Sequence, residues 1–188
     1  MRFLFIFILV LGLSSCKQTK PETLPQSSVY NLSSEWENQN ADKIHLADLK
    51  GKVVVMVMIY TSCKTACPQL TAEMGKIARE TEDIPQEDIR YVLVSIDPEH
   101  DTPEVMKDYL KRNKFQNEKW LFLRSSIEET RELANVLAVK YKQISPIDFS
   151  HSNIISVFDK NGVLAFQKEG LSLDVEGTVK EVRKQTKK

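Results

Sequence analysis

The chain has 188 residues, with 26 basic side chains against 26 acidic ones, three histidines, three cysteines and 41% hydrophobic residues. That balance offers no basic surface for nucleic acid, and the apolar content is sufficient for the core of one domain of ordinary size.

Met1-Arg2 is a short basic start, residues 3–13 are apolar apart from Gly12, and Leu13-Ser-Ser-Cys16 follows as a small-residue cleavage site ending in cysteine. This reads as a bacterial lipoprotein signal peptide over residues 1–15. The apolar run falls well short of the ~20 residues a membrane-spanning helix needs. Cleavage would leave Cys16 as the acylated first residue, so that lipid anchors the protein to a membrane that the chain does not span. The domain is then expected in the cell envelope, facing the periplasm or the cell exterior, where disulfides are permitted. Residues 17–34 are rich in Pro, Ser, Thr, Gln and Asn and lack apolar periodicity, as a flexible membrane tether does. The first ordered residues are expected near Val29 or Tyr30.

Residues 43–46 suggest a short edge strand, Lys50-Gly51 a turn, and Val53–Ile59 a strand buried on both faces because it lacks polar alternation. Pro68 suits a first helical position, with Leu70, Met74, Ile77 and Ala78 as one stripe. Residues 91–96 form a second buried strand. A helix from Pro103 follows, carrying Val105, Met106, Tyr109 and Leu110, and residues 120–123 make a third strand. Ser126 caps a helix with Glu129 three residues on and Leu133, Val136 and Leu137 on its apolar face. Residues 153–159 and 163–167 flank Lys160-Asn-Gly162 as a hairpin, since Asn-Gly readily takes positive φ. A final basic helix closes the chain, its residues 180–188 read as a solvated terminus. This order predicts an α/β fold: a three-layer sandwich with a central mixed β-sheet flanked by helices.

With Cys16 assigned to lipid, one thiol pair remains, in Thr61-Ser-Cys-Lys-Thr-Ala-Cys-Pro68, where a strand hands over to a helix. Thiolates are nucleophiles and soft metal ligands, and a helix N-terminus lowers their pKa through unpaired N–H groups. Because the residue before proline is pushed away from α conformation, Cys67 is expected as the last loop residue. Both sulfurs then share one turn, either about 2.05 Å apart in a disulfide or each about 2.3 Å from one metal. Spacing alone does not choose. Among possible third donors, His45 sits on the early edge strand, His100 in the loop Asp97-Pro-Glu-His-Asp-Thr-Pro103, and His151 in the polar loop Asp148-Phe-Ser-His-Ser152 that leads into the hairpin.

Tyr60-Thr-Ser-Cys-Lys-Thr-Ala-Cys-Pro-Gln-Leu70, then Val94-Ser-Ile-Asp-Pro-Glu-His-Asp-Thr-Pro103, then Ser150-His-Ser152 before Phe158-Asp-Lys-Asn-Gly162 together resemble the Sco family, also called SenC. The resemblance runs from about Tyr30 to the last helix. It implies a thioredoxin-like fold for residues 35–188, behind a leader at 1–15 and a tether at 16–34. It implies a copper ion held by Cys63, Cys67 and His151, with Asp97 as an outer partner. In two places the chain departs from the pattern. Ser150 precedes the histidine where relatives commonly carry an acidic residue, leaving Asp148 as the nearest upstream carboxylate, and His100 stands where arginine is frequent.

Soft thiolates with an imidazole favour copper, and three donors leave room for an incoming ligand during transfer. The resemblance implies a metallochaperone that delivers copper, or prepares a target's thiols, for the copper centre of cytochrome c oxidase, with the copper-centre subunit as recipient. Two other classes compete: a thiol-disulfide oxidoreductase outside the cytoplasm using the redox pair Cys63 and Cys67, and a domain braced by a fixed disulfide or zinc. A peroxidase is a poor match, because no second distant thiol exists to resolve an attacking cysteine.

Overall fold

The computed structural model describes residues 23–146, 148–171 and 175–188. The leader expected at 1–15, the lipid attachment expected on Cys16 and the first part of the expected tether lie outside them. The first ordered residues were expected near Val29 or Tyr30, within the segment read as tether, and packed structure is present there. Ser28 bridges Val163, and a 3-10 turn at Val29–Asn31 buries Val29 and Tyr30. The apolar pair in an otherwise polar stretch is what ties this segment down, with the Val29 N–H bonded to the Gly162 carbonyl at 3.0 Å. Gly162 has φ +73°, and a side chain there would run into the Tyr30 ring at 2.7 Å.

Among the described residues nine strands and four helices follow: β1 (Glu35–Asn38), β2 (Lys43–His45), β3 (Val53–Ile59), α1 (Ala66–Glu80), β4 (Ile89–Ser95), α2 (Pro103–Arg112), β5 (Trp120–Arg124), α3 (Ile127–Val136), β6 (Tyr141–Ser145), β7 (Asp148–His151), β8 (Ile154–Phe158), β9 (Leu164–Glu169) and α4 (Val175–Thr186). The central sheet has seven strands in the order β2-β1-β5-β4-β3-β8-β9. Strands β3, β4 and β5 are parallel, while β1, β8 and β9 pair antiparallel, so the sheet is mixed as expected. Helices flank it, giving the three-layer thioredoxin-like sandwich. No helix among the described residues is long and apolar enough to cross a membrane.

All seven residues of β3 are buried. Each such valine or isoleucine contributes about 1.5–3 kcal/mol relative to exposure, which pins this strand at the centre and makes its C-terminal end a rigid base. Parallel β4 ends beside it, and the Ile96 N–H bonds the Ile59 carbonyl at 2.9 Å. The loops after β3 and β4 therefore leave the sheet at one pole. Antiparallel β8 starts at that same pole, which brings the residues before it there too.

Some expectations are corrected. Strand β1 was not foreseen. It is short and polar, but it alternates with Trp36 fully buried and completes the sheet between β2 and β5. The polar stretch before β8 is not a plain loop. Strands β6 and β7 form a separate two-stranded sheet with His151 as its last residue. On α3, Val136 is 50% exposed, and the buried positions are Thr130, Leu133 and Ala134 followed by Leu137. Steps of three and four from Thr130 reach Leu137 and bypass Val136.

Candidate metal centre

Helix α1 begins at Ala66, so Cys67 lies in its first turn and not in the preceding loop. Pro68 is tolerated at the third helical position because N–H groups of the first turn have no intrahelical partner to lose. Thr65, the residue flanking the helix start, makes no side-chain cap. The sulfur of Cys63 does that work, accepting from the Cys67 N–H at 3.4 Å.

This arrangement divides the two thiols. Burial pushes Cys63 up, but hydrogen bonds from the Cys67 and Thr65 N–H groups and the Cys67 thiol outweigh it, and the pKa is lowered to about 7. Burial raises Cys67 well above the usual thiol range, and the neighbouring Cys63 adds to the shift. Both cysteines are free thiols here. The pair therefore holds one ionisable sulfur toward the surface and one protonated sulfur beneath it.

His151 reaches the pair from 84 residues downstream, its Nε2 3.3 Å from the Cys67 sulfur. Its Nδ1 lies 3.0 Å from the Ser152 carbonyl, an acceptor, which assigns the proton to Nδ1 and leaves the Nε2 lone pair facing the sulfurs. Burial lowers the imidazole pKa, keeping it in the neutral form that a ligand requires. One donor atom each from Cys63, Cys67 and His151 lies within 4.8 Å of the others. Three donors at bond lengths of about 2.0–2.3 Å around one ion would stand roughly 4 Å apart, so the trio fits a soft metal with little adjustment. The site opens onto a groove of about 440 Å³ lined by Lys140, Lys142, His151 and Glu169 among others.

The other residues singled out in the sequence fall elsewhere. Asp97 turns to His100, whose Nδ1 is 2.8 Å from its carboxylate, and neither belongs to the three-residue group. That hydrogen bond raises the His100 pKa and favours imidazolium, which has no lone pair to donate. His45 stays on the edge strand against the Ser34 carbonyl.

Asp101 was the residue missed. It is buried, accepts from the Thr61 N–H at 3.3 Å, from the Thr61 hydroxyl and from the Ser95 hydroxyl at 2.5 Å, and so braces the start of the cysteine loop against the end of β4. Its place four residues beyond Asp97 in the same loop was the only hint. The imidazole is oriented by the main-chain carbonyl of Ser152, where the absence of an acidic neighbour at Ser150 had left the partner open. Asp148 instead accepts from Tyr60.

A dithiol and a neutral imidazole converging at the strand-to-helix switch of a thioredoxin-like sandwich define a thiol-based metal-binding protein. The SCO1/SenC family model matches residues 22–186, and the chain belongs to that family. The SCO1 protein homolog of Bacillus subtilis is 34% identical over 100 residues, 50% of this chain and 50% of that protein, so the chain spans about half the length of this curated relative. Among solved structures, BsSco is 25% identical with TM-score 0.71, over 81% of this chain and 91% of that one. It is described as a member of the Sco family of cytochrome c oxidase assembly proteins in which a disulfide switch was identified. Arabidopsis thaliana ScoI with copper bound is similar in fold, with TM-score 0.70 and 22% identity, over 80% of this chain and 96% of that one.

Proposed function

We propose that the chain is a copper-binding protein of the bacterial cell envelope, held to a membrane by lipid on Cys16, that takes copper as cargo on Cys63, Cys67 and His151. Its role is to deliver copper, or to prepare a target's thiols, during assembly of the copper centre of cytochrome c oxidase, with the copper-centre subunit as recipient. The observation that carries this reading is the convergence of two sulfurs and one unprotonated imidazole nitrogen within 4.8 Å. Two thiolates and an imidazole select copper, above all Cu(I), over harder cations. Membership of a family whose members are linked to cytochrome c oxidase assembly, and copper in a solved member of the same fold, support the recipient and the ion. The half-open position beside the groove suits a site that gives its metal away.

A second reading, an extracytoplasmic thiol-disulfide oxidoreductase, is favoured by the unequal thiols, since a low-pKa sulfur beside a protonated one is the arrangement of an exchanging pair. The two are separated by Cu(I) titration of the reduced protein, against a competing chelator, for wild type and His151→Ala. One copper per chain, weakened more than about a hundredfold by His151→Ala while the dithiol potential hardly moves, is the expected result; outer partners of a ligand alone are worth roughly 10–100-fold. No copper bound after full reduction overturns the proposal.

A further inference from the structure

We infer that Tyr60 is a positioning residue that latches the β6–β7 hairpin so that His151 stands over the cysteine pair, through a hydrogen bond from its hydroxyl to Asp148. The inference rests on the metal-binding reading and assigns it a residue outside the ligand set.

Strands β6 and β7 pair with each other and lie outside the seven-stranded ladder. Main-chain pairing with the central sheet therefore does not set the height of β7, and with it the reach of His151. Tyr60 is well placed to do so. It follows the last residue of β3, is almost fully buried, and its carbonyl accepts from the Cys63 N–H at 3.4 Å, so it is fixed to the same base as the sulfurs.

From there its side chain touches three of the four residues of β7. The hydroxyl donates to Asp148 Oδ1 at 2.6 Å and lies 3.3 Å from the Phe149 N–H, whose proton it can accept. The ring meets Phe149 edge-on at 5.2 Å and His151 at 6.0 Å and 82°. Phe149 and His151 share the inward face of the strand, as residues two apart do, and Asp148 closes the strand's far end about 10 Å from His151. A strand held at one end by a hydrogen bond to a carboxylate and along its length by aromatic packing cannot swing its histidine away. Phenylalanine at 60 would keep the packing but leave the Asp148 carboxylate and the Phe149 N–H without this partner.

The test uses Tyr60→Phe, Asp148→Ala, Asp148→Asn and the double variant Tyr60→Phe/Asp148→Ala in the reduced full chain. The readouts are Cu(I) affinity by chelator competition and, without metal, amide hydrogen exchange across β7. Hydrogen bonds to charged groups are worth about a tenfold or greater change in an equilibrium, so Tyr60→Phe and Asp148→Ala should each weaken copper roughly tenfold and speed exchange at Phe149 similarly. Asp148→Asn, which keeps an acceptor oxygen, should recover most of both, and the double variant should be no worse than either single one. Unchanged affinity and exchange in both single variants, or additive losses in the double, overturn the latch. Should wild type bind no copper, the metal-binding proposal fails while amide exchange still decides the latch. Should Tyr60→Phe not fold, the exposed Asp148 carries the test alone.

Discussion

The acidity of Cys63 follows from main-chain geometry and is directly measurable. With the pKa brought to about 7 by the N–H groups of Cys67 and Thr65, half of this thiol is ionised at pH 7, against roughly 3% for an ordinary cysteine near 8.5. Reactivity gains less than that ratio of about fifteen. The intrinsic nucleophilicity of a thiolate falls with its pKa along a Brønsted slope of about 0.4–0.5, which over 1.5 units returns a factor of about five. The rate at pH 7 should therefore exceed that of a free thiol only about threefold, and the diagnostic quantity is the midpoint of the pH profile. Iodoacetamide labelling of the reduced, metal-free protein between pH 5 and 9, read by peptide mass spectrometry, should give a sigmoid for Cys63 centred near pH 7 and almost no label on Cys67. A Cys63 midpoint at 8.5 or above, or Cys67 reacting first, would refute the argument that the first turn of α1 supplies the stabilising donors.

Cys63→Ser/Cys67→Ser should remain folded, at a cost of about 1–3 kcal/mol for burying hydroxyls where thiols sit, or roughly 2–12 °C in Tm; a chain that cannot fold without the sulfurs would make the pair a structural brace. Gly162→Ala forces a side chain at φ +73° against the Tyr30 ring and the Ser28 hydroxyl, and should cost about 2–4 kcal/mol in urea unfolding. Asp101→Ala strips the Thr61 N–H and two hydroxyls of their acceptor, and a loss of about 2–4 kcal/mol is expected, with faster amide exchange in the cysteine loop. Burial raises the Asp101 pKa in the folded state, so its contribution to stability is greatest below the unfolded value near 4 and declines as pH rises through the folded value. The stability difference between wild type and Asp101→Asn should therefore move in favour of the variant as pH rises above the unfolded value near 4, and the opposite slope would show the carboxylate to be stabilised by ionisation.

What the sequence determined by itself is local or strongly periodic. The unbroken apolar run of β3 announces a central strand, Ser126 and Glu129 mark the start of α3, Asn161-Gly162 marks the β8–β9 turn, and Cys63 and Cys67 are close in space because three residues of one turn separate them. The third donor was legible only through family resemblance, since nothing near His151 in the chain says that it faces Cys67. The roles of Tyr60, Asp101 and Ser152, the separate β6–β7 pair and the short strand β1 were decided by the tertiary structure. Tyr60 and Asp101 depend on partners tens of residues away, as with Thr61 on Asp101 or Tyr60 on Asp148. A polar strand has no pattern of its own to betray it, and a tyrosine or aspartate has many possible partners. Which one it meets is fixed only when β3, β4 and β8 pack side by side and bring their loops to one pole.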